Sequence, residues 1–378
     1  MSNASLLVFA DDWGRHPSSC QHLIRQLLDR HAVCWVNTIG TRKPQLNLAT
    51  LRRGLEKVKH WLRRPPASAA LPCNLRVANP RMWPWISRRG DRWLNRQLLL
   101  RQLTPLVRSL PQPVVGVTTL PIVADLMGPL PVQRWVYYCV DDFGQWPGLD
   151  QRPLRQMEEC VVRRADAVIA ASTALQERLA QLGRAAHLLT HGVELGFWQG
   201  NGHPCIAQLD GLERPLVVFW GVIDRRMDLG FVQRLAAELK QGTIVLTGPE
   251  ADPDPKLFRL PRVFRLPPLQ FEQLPQLGRE AAVLIMPYAD LPVTRQMQPL
   301  KLKEYLATGK PVVVRDLPAN RAWADCLDLA ATPEEFTGAV RRRLETGLPA
   351  EQRQARARLS GESWAEKARA FEQWALHG

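Results

Sequence analysis

The sequence of 378 residues lacks the long apolar run, the paired cysteines and the leader that mark membrane-spanning, disulfide-bonded or secreted proteins. A membrane-spanning helix needs about 20 consecutive apolar residues, and no run approaches that length. The seven cysteines are odd in number, scattered and without a CxxC pair, which favours reduced thiols over a disulfide framework or a zinc site. The first residues lack the basic start and apolar core of a signal peptide. We therefore expect a cytoplasmic protein.

Two nucleotide-binding signatures are also missing. Neither GxGxxG nor the P-loop pattern occurs, which argues against Rossmann-type dehydrogenases and P-loop kinases. The sequence has no short internal repeat and no low-complexity tract. Its composition, 46% hydrophobic and 23% charged, is that of an ordinary globular protein, and its length is sufficient for two domains with separate cores.

The net charge of +14 is concentrated in one part of the chain. Residues 42–108 contain 16 Lys or Arg and only two acidic residues, Glu56 and Asp91, which accounts for the whole net charge. Such a concentration predicts an anionic surface or partner near this segment.

Within this segment, residues 48–62 place apolar side chains at steps of three and four, with Lys and Arg at many remaining positions. A helix with one apolar stripe and a cationic remainder can lie in an anionic membrane interface. Trp83, Trp85 and Trp93, interleaved with arginines, extend the same chemistry. We expect residues 42–108 to bind the inner face of the cell membrane. The alternative is a core-packed helix with a solvated face.

Strand-like and helix-like segments alternate along both halves of the chain. This alternation predicts an α/β fold class with two tandem doubly wound, Rossmann-like domains, which bind ligands at the carboxyl ends of their strands. Glycines and prolines over 196–215 predict a linker. We expect an N-terminal domain at 1–195, a C-terminal domain at 216–360 and a final helix at 361–378. Predicted strands are 6–10, 33–36, 113–118, 135–140, 167–171, 216–220, 243–247, 263–266, 282–286 and 312–314; predicted helices include 18–29, 154–164, 229–239 and 271–277.

The segment 298–314 has the sequence pattern of a loop, a short helix that ends at a glycine, and a buried strand. Pro299 suits the start of a helix, and Gly309 suits its end. Two lysines and a carboxylate lie near the start of this helix, where backbone N–H groups and the dipole favour an anion. The pattern predicts a cradle for a nucleotide diphosphate with its ribose nearby.

Several short stretches follow one another in a familiar order. They are ADAVIAAS at 165–172, HGVE at 191–194, FWGVID at 219–224, LTGP at 246–249, MQPLK at 297–301 and EYLA at 304–307. In these stretches the chain resembles retaining glycosyltransferases of the GT-B fold, close to glycosyltransferase family 4 and its teichuronic-acid-transferase-like, polysaccharide-building members. The resemblance covers about 130–375, and residues 1–130 match weakly.

The resemblance implies an acceptor-binding first domain, a donor-binding second domain and a C-terminal helix that returns to the first. It implies transfer of a sugar, with retention, from a nucleotide-diphosphate sugar to a growing, lipid-linked exopolysaccharide or cell-surface glycan. We expect no cofactor and no obligatory metal, because cationic side chains and a helix N-terminus can bind the diphosphate.

On the donor side, the resemblance assigns Glu304 to the ribose hydroxyls, for which an ionised carboxylate is a suitable acceptor. A solvated glutamate paired with a lysine is the alternative. A second family glutamate falls at Gln296, which can donate and accept hydrogen bonds but carries no charge. We expect Lys301 to bind the diphosphate and Lys303 to be solvated. The sugar pocket is expected to include Met297, Pro299 and Leu300.

Gly221 follows a predicted strand and permits close approach of a ligand to the backbone. Relatives place a basic residue directly after this glycine, where this chain has Val222. Arg225 or Arg226 would therefore neutralise the leaving diphosphate, which is the main catalytic demand. The alternative is that both are surface arginines that pair with Asp224 and Asp228.

On the acceptor side, Asp141 and Asp142 end a predicted strand, and either is a candidate to orient the acceptor hydroxyl. Helix capping by Asp142 is the alternative. Trp13 and His16 follow the first strand and are weaker acceptor-side candidates. A metal pair of His187 and His191 is not expected, because the two lie on a strand-to-turn segment.

Two other functions remain open from the sequence. One is a nucleotide-sugar epimerase of the same fold, which would need more acids and histidines at its site. The other is a non-enzymatic binder of an anionic polymer or nucleic acid, which the net charge favours. No nucleic-acid-binding signature occurs, so we expect no nucleic acid partner.

Overall fold

A computed structural model describes residues 4–14, 18–37, 71–145, 150–200, 202 and 205–377. The chain divides into two compact units. The first unit is Met1–Leu189 with Ala368–Gly378, and the second unit is Thr190–Lys367. Each unit contains its own parallel sheet, so the predicted fold class is confirmed. The domain boundaries drawn from the sequence stay predictions.

The sheet of the first unit has seven parallel strands in the order β3-β2-β1-β4-β5-β6-β7. Its central strand β1 pairs with β2 and β4, and every residue of β1 is buried. Apolar strands buried on both faces are typical of a parallel sheet covered by helices. The strands are Ser5–Ala10 (β1), Val33–Asn37 (β2), Leu75–Ala78 (β3), Val114–Thr118 (β4), Arg134–Cys139 (β5), Ala167–Ala170 (β6) and His187–Leu188 (β7).

The helices of the first unit begin where polar caps precede apolar spacing. Ser18 and Ser172 cap their helices by accepting hydrogen bonds from backbone N–H groups three residues later. The first helix ends at Arg25, four residues before the predicted end. These helices are Ser19–Arg25 (α1), Arg89–Arg108 (α2), Gln151–Arg164 (α3) and Thr173–Gln181 (α4).

The last helix of the chain returns to the first unit, as predicted. The Phe371 ring packs edge-on against Tyr138, with ring centroids 6.0 Å apart. The Glu372 carboxylate lies 2.7 Å from Nε2 of His31, six residues beyond the end of α1. Trp374 stacks on His187 at 4.6 Å. The helix spans Trp364–Leu376 (α13).

The sheet of the second unit has six parallel strands in the order β12-β10-β8-β13-β14-β15, and β9 pairs with β11 beside it. Val, Ile and Leu fill β8, β10, β13 and β14, all four of which are buried on both faces apart from isolated positions. The strands are Leu216–Trp220 (β8), Ile223–Asp224 (β9), Thr243–Thr247 (β10), Glu250–Ala251 (β11), Val263–Leu266 (β12), Ala281–Met286 (β13), Val312–Arg315 (β14) and Asp328–Ala330 (β15).

The helices of the second unit agree with the predicted alternation, with one change. The helix predicted over 271–277 is a 3-10 turn at Phe271–Gln273 followed by Leu274–Glu280, since Pro275 suits the first turn of the α-helix. The α-helices are Leu195–Gln199 (α5), Leu229–Glu238 (α6), Leu274–Glu280 (α7), Pro292–Gln296 (α8), Leu300–Ala307 (α9), Pro318–Arg321 (α10), Pro333–Thr346 (α11) and Ala350–Ala355 (α12). Among the described residues, no helix is both long and apolar enough to cross a membrane.

Candidate functional site

The candidate site lies in the second unit, where β8 and β13 end and α9 begins. Gly221 follows β8 with a φ of +144°, and Gly248 follows β10 with a φ of +139°. A Cβ atom on Gly248 would lie 1.9 Å from the carbonyl oxygen of Gly221, so the two chain segments can approach this closely because residue 248 is glycine. A Cβ atom on Gly221 would lie 2.0 Å from Nζ of Lys301. The lysine amine therefore occupies the space that Gly221 leaves open.

Lys301 lies in the first turn of α9, and its ammonium is held by aromatic side chains. Its Nζ donates a hydrogen bond of 2.6 Å to Oη of Tyr288. The same atom lies 5.1 Å from the ring centroid of Phe219, within the range of a cation–π contact. No described carboxylate forms a salt bridge with Lys301. Within the described residues, the charge of this ammonium is therefore not neutralised by a salt bridge.

Arg226 brings a second cation to the same tyrosine. Its side chain is buried and forms a salt bridge of 2.8 Å with Asp224. Its guanidinium carbon lies 5.8 Å from the ring centroid of Tyr288, and Nη1 donates to the sulfur of Met297 at 3.3 Å. The two cations thus flank one ring. Arg226 therefore pairs with Asp224, as the predicted alternative has it, but it is buried and does not lie at the surface.

Arg225 has different surroundings, although it is adjacent in sequence. Its side chain is 53% exposed and forms a salt bridge of 3.2 Å with Asp252. Asp252 and Asp254 form a DxD triplet, and Asp254 accepts a hydrogen bond from the backbone N–H of Lys256. The structure therefore brings Arg226, and not Arg225, together with Lys301.

Glu304 lies one helical turn beyond Lys301 and is buried. Its Oε2 accepts a hydrogen bond of 3.4 Å from Nε1 of Trp220, the last residue of β8. Burial raises the pKa of this carboxyl to about 7, while the Trp220 hydrogen bond and the charge of Lys301 oppose the shift. The predicted alternative of a solvated glutamate is wrong. A carboxylate in this setting can accept hydrogen bonds from two hydroxyl groups.

Lys303 is buried, so the prediction that it is solvated is wrong. Its Nζ donates to the Thr190 hydroxyl at 3.2 Å, to the carbonyl oxygen of His191 and to the Glu362 carboxylate. Burial lowers the pKa of the Lys303 ammonium to about 8, against the opposing effect of Glu362. The error arises because Glu362 is 59 residues away in the chain. Nothing in the helix itself indicates that partner.

The loop between α8 and α9 carries the remaining donor-side candidates. Gln296 is the last residue of α8, and Pro299 directly precedes α9. The Gln298 carbonyl accepts a hydrogen bond of 3.0 Å from Nε2 of His191. Met297 is buried and contacts Arg226. The loop therefore brings Gln296, Met297, Pro299 and Leu300 next to the start of α9, beside Lys301.

The acceptor-side candidates Asp141 and Asp142 of the first unit have different surroundings. Asp142 is buried, accepts hydrogen bonds of 2.9 Å from Gly144 and Gln145, and lies 3.6 Å from Nε of Arg178. It closes a turn, so the predicted alternative of helix capping is wrong; Asp150 precedes α3. Asp141 is half-buried beside it.

Trp13 packs edge-on against Trp35, with ring centroids 4.8 Å apart. The predicted candidate His16 lies outside the described residues, as does the basic stretch 42–70. His187 stacks on Trp374 in the first unit, whereas His191 belongs to the second unit. In the described part of the chain, no group of three or more His, Cys, Asp or Glu residues could hold a metal ion.

Two features of the structure were not predicted. Tyr288 is 2% exposed and contacts both cations of the site. In the sequence, Tyr288 could have been identified from its position two residues after a buried strand, which places it at the same sheet edge as Gly221. In the first unit, Arg178 pairs with the buried Glu158 at 2.5 Å, and the Tyr137 hydroxyl donates to the same carboxylate at 2.6 Å. Arg178 and Tyr137 lie 20 and 21 residues from Glu158, so the sequence pattern does not indicate these pairs.

Comparisons with known proteins agree with the fold. No family model matches the chain. The chain is 29% identical over 179 residues to the Bacillus subtilis (strain 168) protein TuaH, which is assigned by name to teichuronic acid biosynthesis as a glycosyltransferase. The match covers 45% of this chain and 45% of TuaH, so it spans less than half of that relative.

Solved structures match nearly the whole chain at low sequence identity. A sucrose-phosphate synthase from Thermosynechococcus elongatus has a TM-score of 0.70 at 16% identity, with 98% of both chains covered. The Anabaena protein HepE, in complex with UDP, has a TM-score of 0.61 at 16% identity, with 98% of this chain and 94% of HepE covered. The resemblance to GT-B glycosyltransferases is thereby confirmed at the level of the fold. The chain has the GT-B fold and is a distant homologue of TuaH.

Proposed function

We propose that the protein transfers a sugar from a nucleotide-diphosphate sugar to an acceptor glycan. The observation that carries this proposal is the pair of cations, Lys301 and Arg226, that flank Tyr288 beside Gly221 and the start of α9. A nucleoside diphosphate leaves with developing negative charge, so fixed cations placed where that charge appears are what the reaction needs. The N-terminus of α9 adds backbone N–H groups and a favourable dipole.

Each cation has a separate role in the proposal. Lys301 contacts the diphosphate directly, because its ammonium lies beside Gly221 in the first turn of α9 and no described carboxylate forms a salt bridge with it. Arg226 stabilises the leaving group from its position next to Tyr288. The exposure of Arg225 and its pairing with Asp252 favour Arg226 over Arg225 for this role. Because two cations serve the diphosphate, we propose that no metal is obligatory.

Glu304 accepts the ribose hydroxyls in this proposal. Its position one turn beyond Lys301 places the carboxyl near the proposed diphosphate site. The buried carboxyl must be ionised to accept two hydrogen bonds, so we expect ribose binding to strengthen as the pH rises through about 7. Gln296, Met297, Pro299 and Leu300 form the walls of the sugar pocket. Gln296 contributes hydrogen bonds and no charge.

We propose UDP as the nucleotide, because the similar Anabaena structure is in complex with UDP and, in a second determination, with UDP-glucose. We also propose retention at the anomeric carbon, as the family resemblance implies. Proton NMR of the product anomer tests this point. An α-linked product from an α-linked donor agrees with the proposal, and a β-linked product contradicts it.

For the acceptor we propose a growing, lipid-linked exopolysaccharide or cell-surface glycan. Asp141 and Asp142 are the candidates to orient its hydroxyl, and the Asp142 carboxylate is held by Gly144, Gln145 and Arg178. Trp13 and His16 remain acceptor-side candidates. The partial match to TuaH supports teichuronic acid as the product class.

A lipid-linked acceptor requires a membrane contact, which we place on the outer face of α2. Trp83 and Trp85 are about 40% exposed, with rings 4.6 Å apart, and Trp93 on α2 is 62% exposed. Residues 71–108 contain eight arginines and one acidic residue, Asp91. Exposed tryptophans among arginines suit the headgroup region of an anionic leaflet. We propose peripheral association with the inner face of the cell membrane.

Flotation with liposomes of 30% phosphatidylserine tests the membrane contact. Changing Trp83 and Trp93 to Ser should abolish co-flotation at physiological salt, whereas changing the buried Trp198 to Phe should not. Equal flotation of both variants contradicts the proposal.

The transfer reaction is tested by release of nucleotide. The protein is incubated with UDP-, GDP-, ADP- and dTDP-sugars and a lipid extract as acceptor, and free nucleoside diphosphate is measured. Lys301→Met should reduce the rate by on the order of a hundredfold. Lys256→Met, which removes an exposed lysine elsewhere in the second unit, should retain it. If no donor is consumed and Lys301→Met binds nucleotide as well as the unmodified protein, the proposal fails.

A further inference from the structure

Tyr288 joins the two cations of the donor site and is itself almost completely buried. Its hydroxyl accepts the hydrogen bond from Lys301 at 2.6 Å. Its ring lies 5.2 Å from the same ammonium and 5.8 Å from the Arg226 guanidinium carbon. The Phe219 ring packs edge-on against it, with centroids 6.1 Å apart. A single side chain therefore contacts both charged groups.

The backbone reinforces this arrangement. Ala289 N–H donates to the carbonyl oxygen of Arg226 at 2.6 Å, and Asp228 N–H donates to that of Pro287 at 2.8 Å. Between these two hydrogen bonds, Met227 and Tyr288 form an antiparallel bridge. The segment after β13 and the segment after β9 are thus paired on both sides of Tyr288, which keeps the ring at a fixed position relative to Arg226.

The chemistry of a phenol suits this task better than that of a carboxylate. Lysine carries its charge on a flexible four-carbon stem, and restricting that stem costs rotamer entropy. A carboxylate would restrict it but would also neutralise the charge. A neutral hydroxyl orients the ammonium and leaves its full charge for the diphosphate. Arg226, by contrast, is paired with Asp224.

We propose that Tyr288 is a positioning residue of the donor site, which holds the Lys301 ammonium and the Arg226 guanidinium ready for the donor diphosphate. This inference rests on the proposed function and adds a residue to it. Tyr288 acts through Lys301, so its hydroxyl should contribute nothing to nucleotide binding once the ammonium is removed.

A double-mutant cycle on nucleotide affinity tests the inference. The dissociation constant of UDP is measured by calorimetry for the unmodified protein, Tyr288→Phe, Lys301→Met and the double variant. Tyr288→Phe keeps the ring and removes only the hydroxyl, so we expect about tenfold weaker binding. In the Lys301→Met background the same change should have an effect of less than twofold. Tyr138→Phe, a buried tyrosine of the first unit, serves as the matched control and should bind UDP normally.

The outcomes separate this inference from the proposed function. An equal loss in both backgrounds means that Tyr288 supports the fold and not Lys301, which overturns the inference. Normal UDP binding by Tyr288→Phe, with weakened binding by Lys301→Met, also overturns it and leaves the proposed function standing. If the unmodified protein binds neither UDP nor another nucleoside diphosphate, the proposed function fails and this inference with it.

Discussion

The buried carboxyl of Glu304 makes a prediction about stability that is independent of any substrate. Burial raises its pKa to about 7 from a model-compound value of 4.5. The folded protein therefore holds a proton that the unfolded chain releases between pH 4.5 and 7. Stability contributed by this group is present below pH 4.5 and is lost as the pH rises through 7. One pKa unit corresponds to about 1.4 kcal/mol, so the full loss is about 3 kcal/mol.

Glu304→Gln removes the ionisable group while keeping a carbonyl oxygen that can accept the hydrogen bond from Trp220. We expect this variant to match the unmodified protein below pH 4.5 and to exceed its free energy of unfolding by up to about 3 kcal/mol at pH 8.5. The same change should weaken UDP binding at pH 8.5, because the ribose loses its ionised acceptor. Stability and binding thus move in opposite directions.

Because the chain contains two units, the measurement must report on the second unit alone. Hydrogen exchange of the β8 and β13 amides, followed at pH 5.5 and 8.5 without nucleotide and corrected for intrinsic rates, provides that readout. Glu351→Gln, at an exposed glutamate of the same unit, is the matched control and should show no pH-dependent difference. A constant difference between Glu304→Gln and the unmodified protein at both pH values would refute the reasoning.

Three further predictions follow from neighbouring residues. Gly221→Ala should weaken UDP binding by about tenfold or more, the magnitude expected for the loss of one charged contact. The new Cβ would lie only 2.0 Å from Nζ of Lys301 and would displace the ammonium. Unchanged affinity in calorimetry would contradict this. Arg226→Lys should weaken UDP binding by about tenfold and Arg225→Ala by less than twofold, since only Arg226 flanks Tyr288; the reverse ranking would assign the role to Arg225. The free energy of unfolding of Lys303→Met, relative to that of the unmodified protein, should fall as the pH rises from 8 to 10.5, because burial lowers the pKa of the Lys303 ammonium to about 8; a pH-independent difference in hydrogen exchange would contradict it.

Much of the fold was readable from local pattern. Runs such as Leu216–Trp220 and Ala281–Met286 are apolar throughout, as buried parallel strands are, and the glycines and prolines around them give the ends. The 3-10 turn at Phe271–Gln273 and the early end of α1 at Arg25 were not predicted, because both depend on packing. Helix ends are the least determined by sequence.

The site was only partly readable. Gly221, Lys301 and Glu304 could be recognised as candidate site residues from their order along the chain. Their relations could not, because Lys301 fills the space at a glycine 80 positions earlier and is held by Tyr288. Lys303 was misjudged for the same reason, since Glu362 and Thr190 reach it from distant segments. Charge and residue type can be taken from sequence, but burial and partners arise from the tertiary fold.

A crystal structure of the protein with UDP bound tests the central claim most directly. The account predicts the diphosphate within hydrogen-bonding distance of the Lys301 ammonium and of the α9 N-terminus, and the ribose hydroxyls on the Glu304 carboxylate. Density for UDP at any other place, with the space beside Gly221 still filled by the lysine alone, would contradict it.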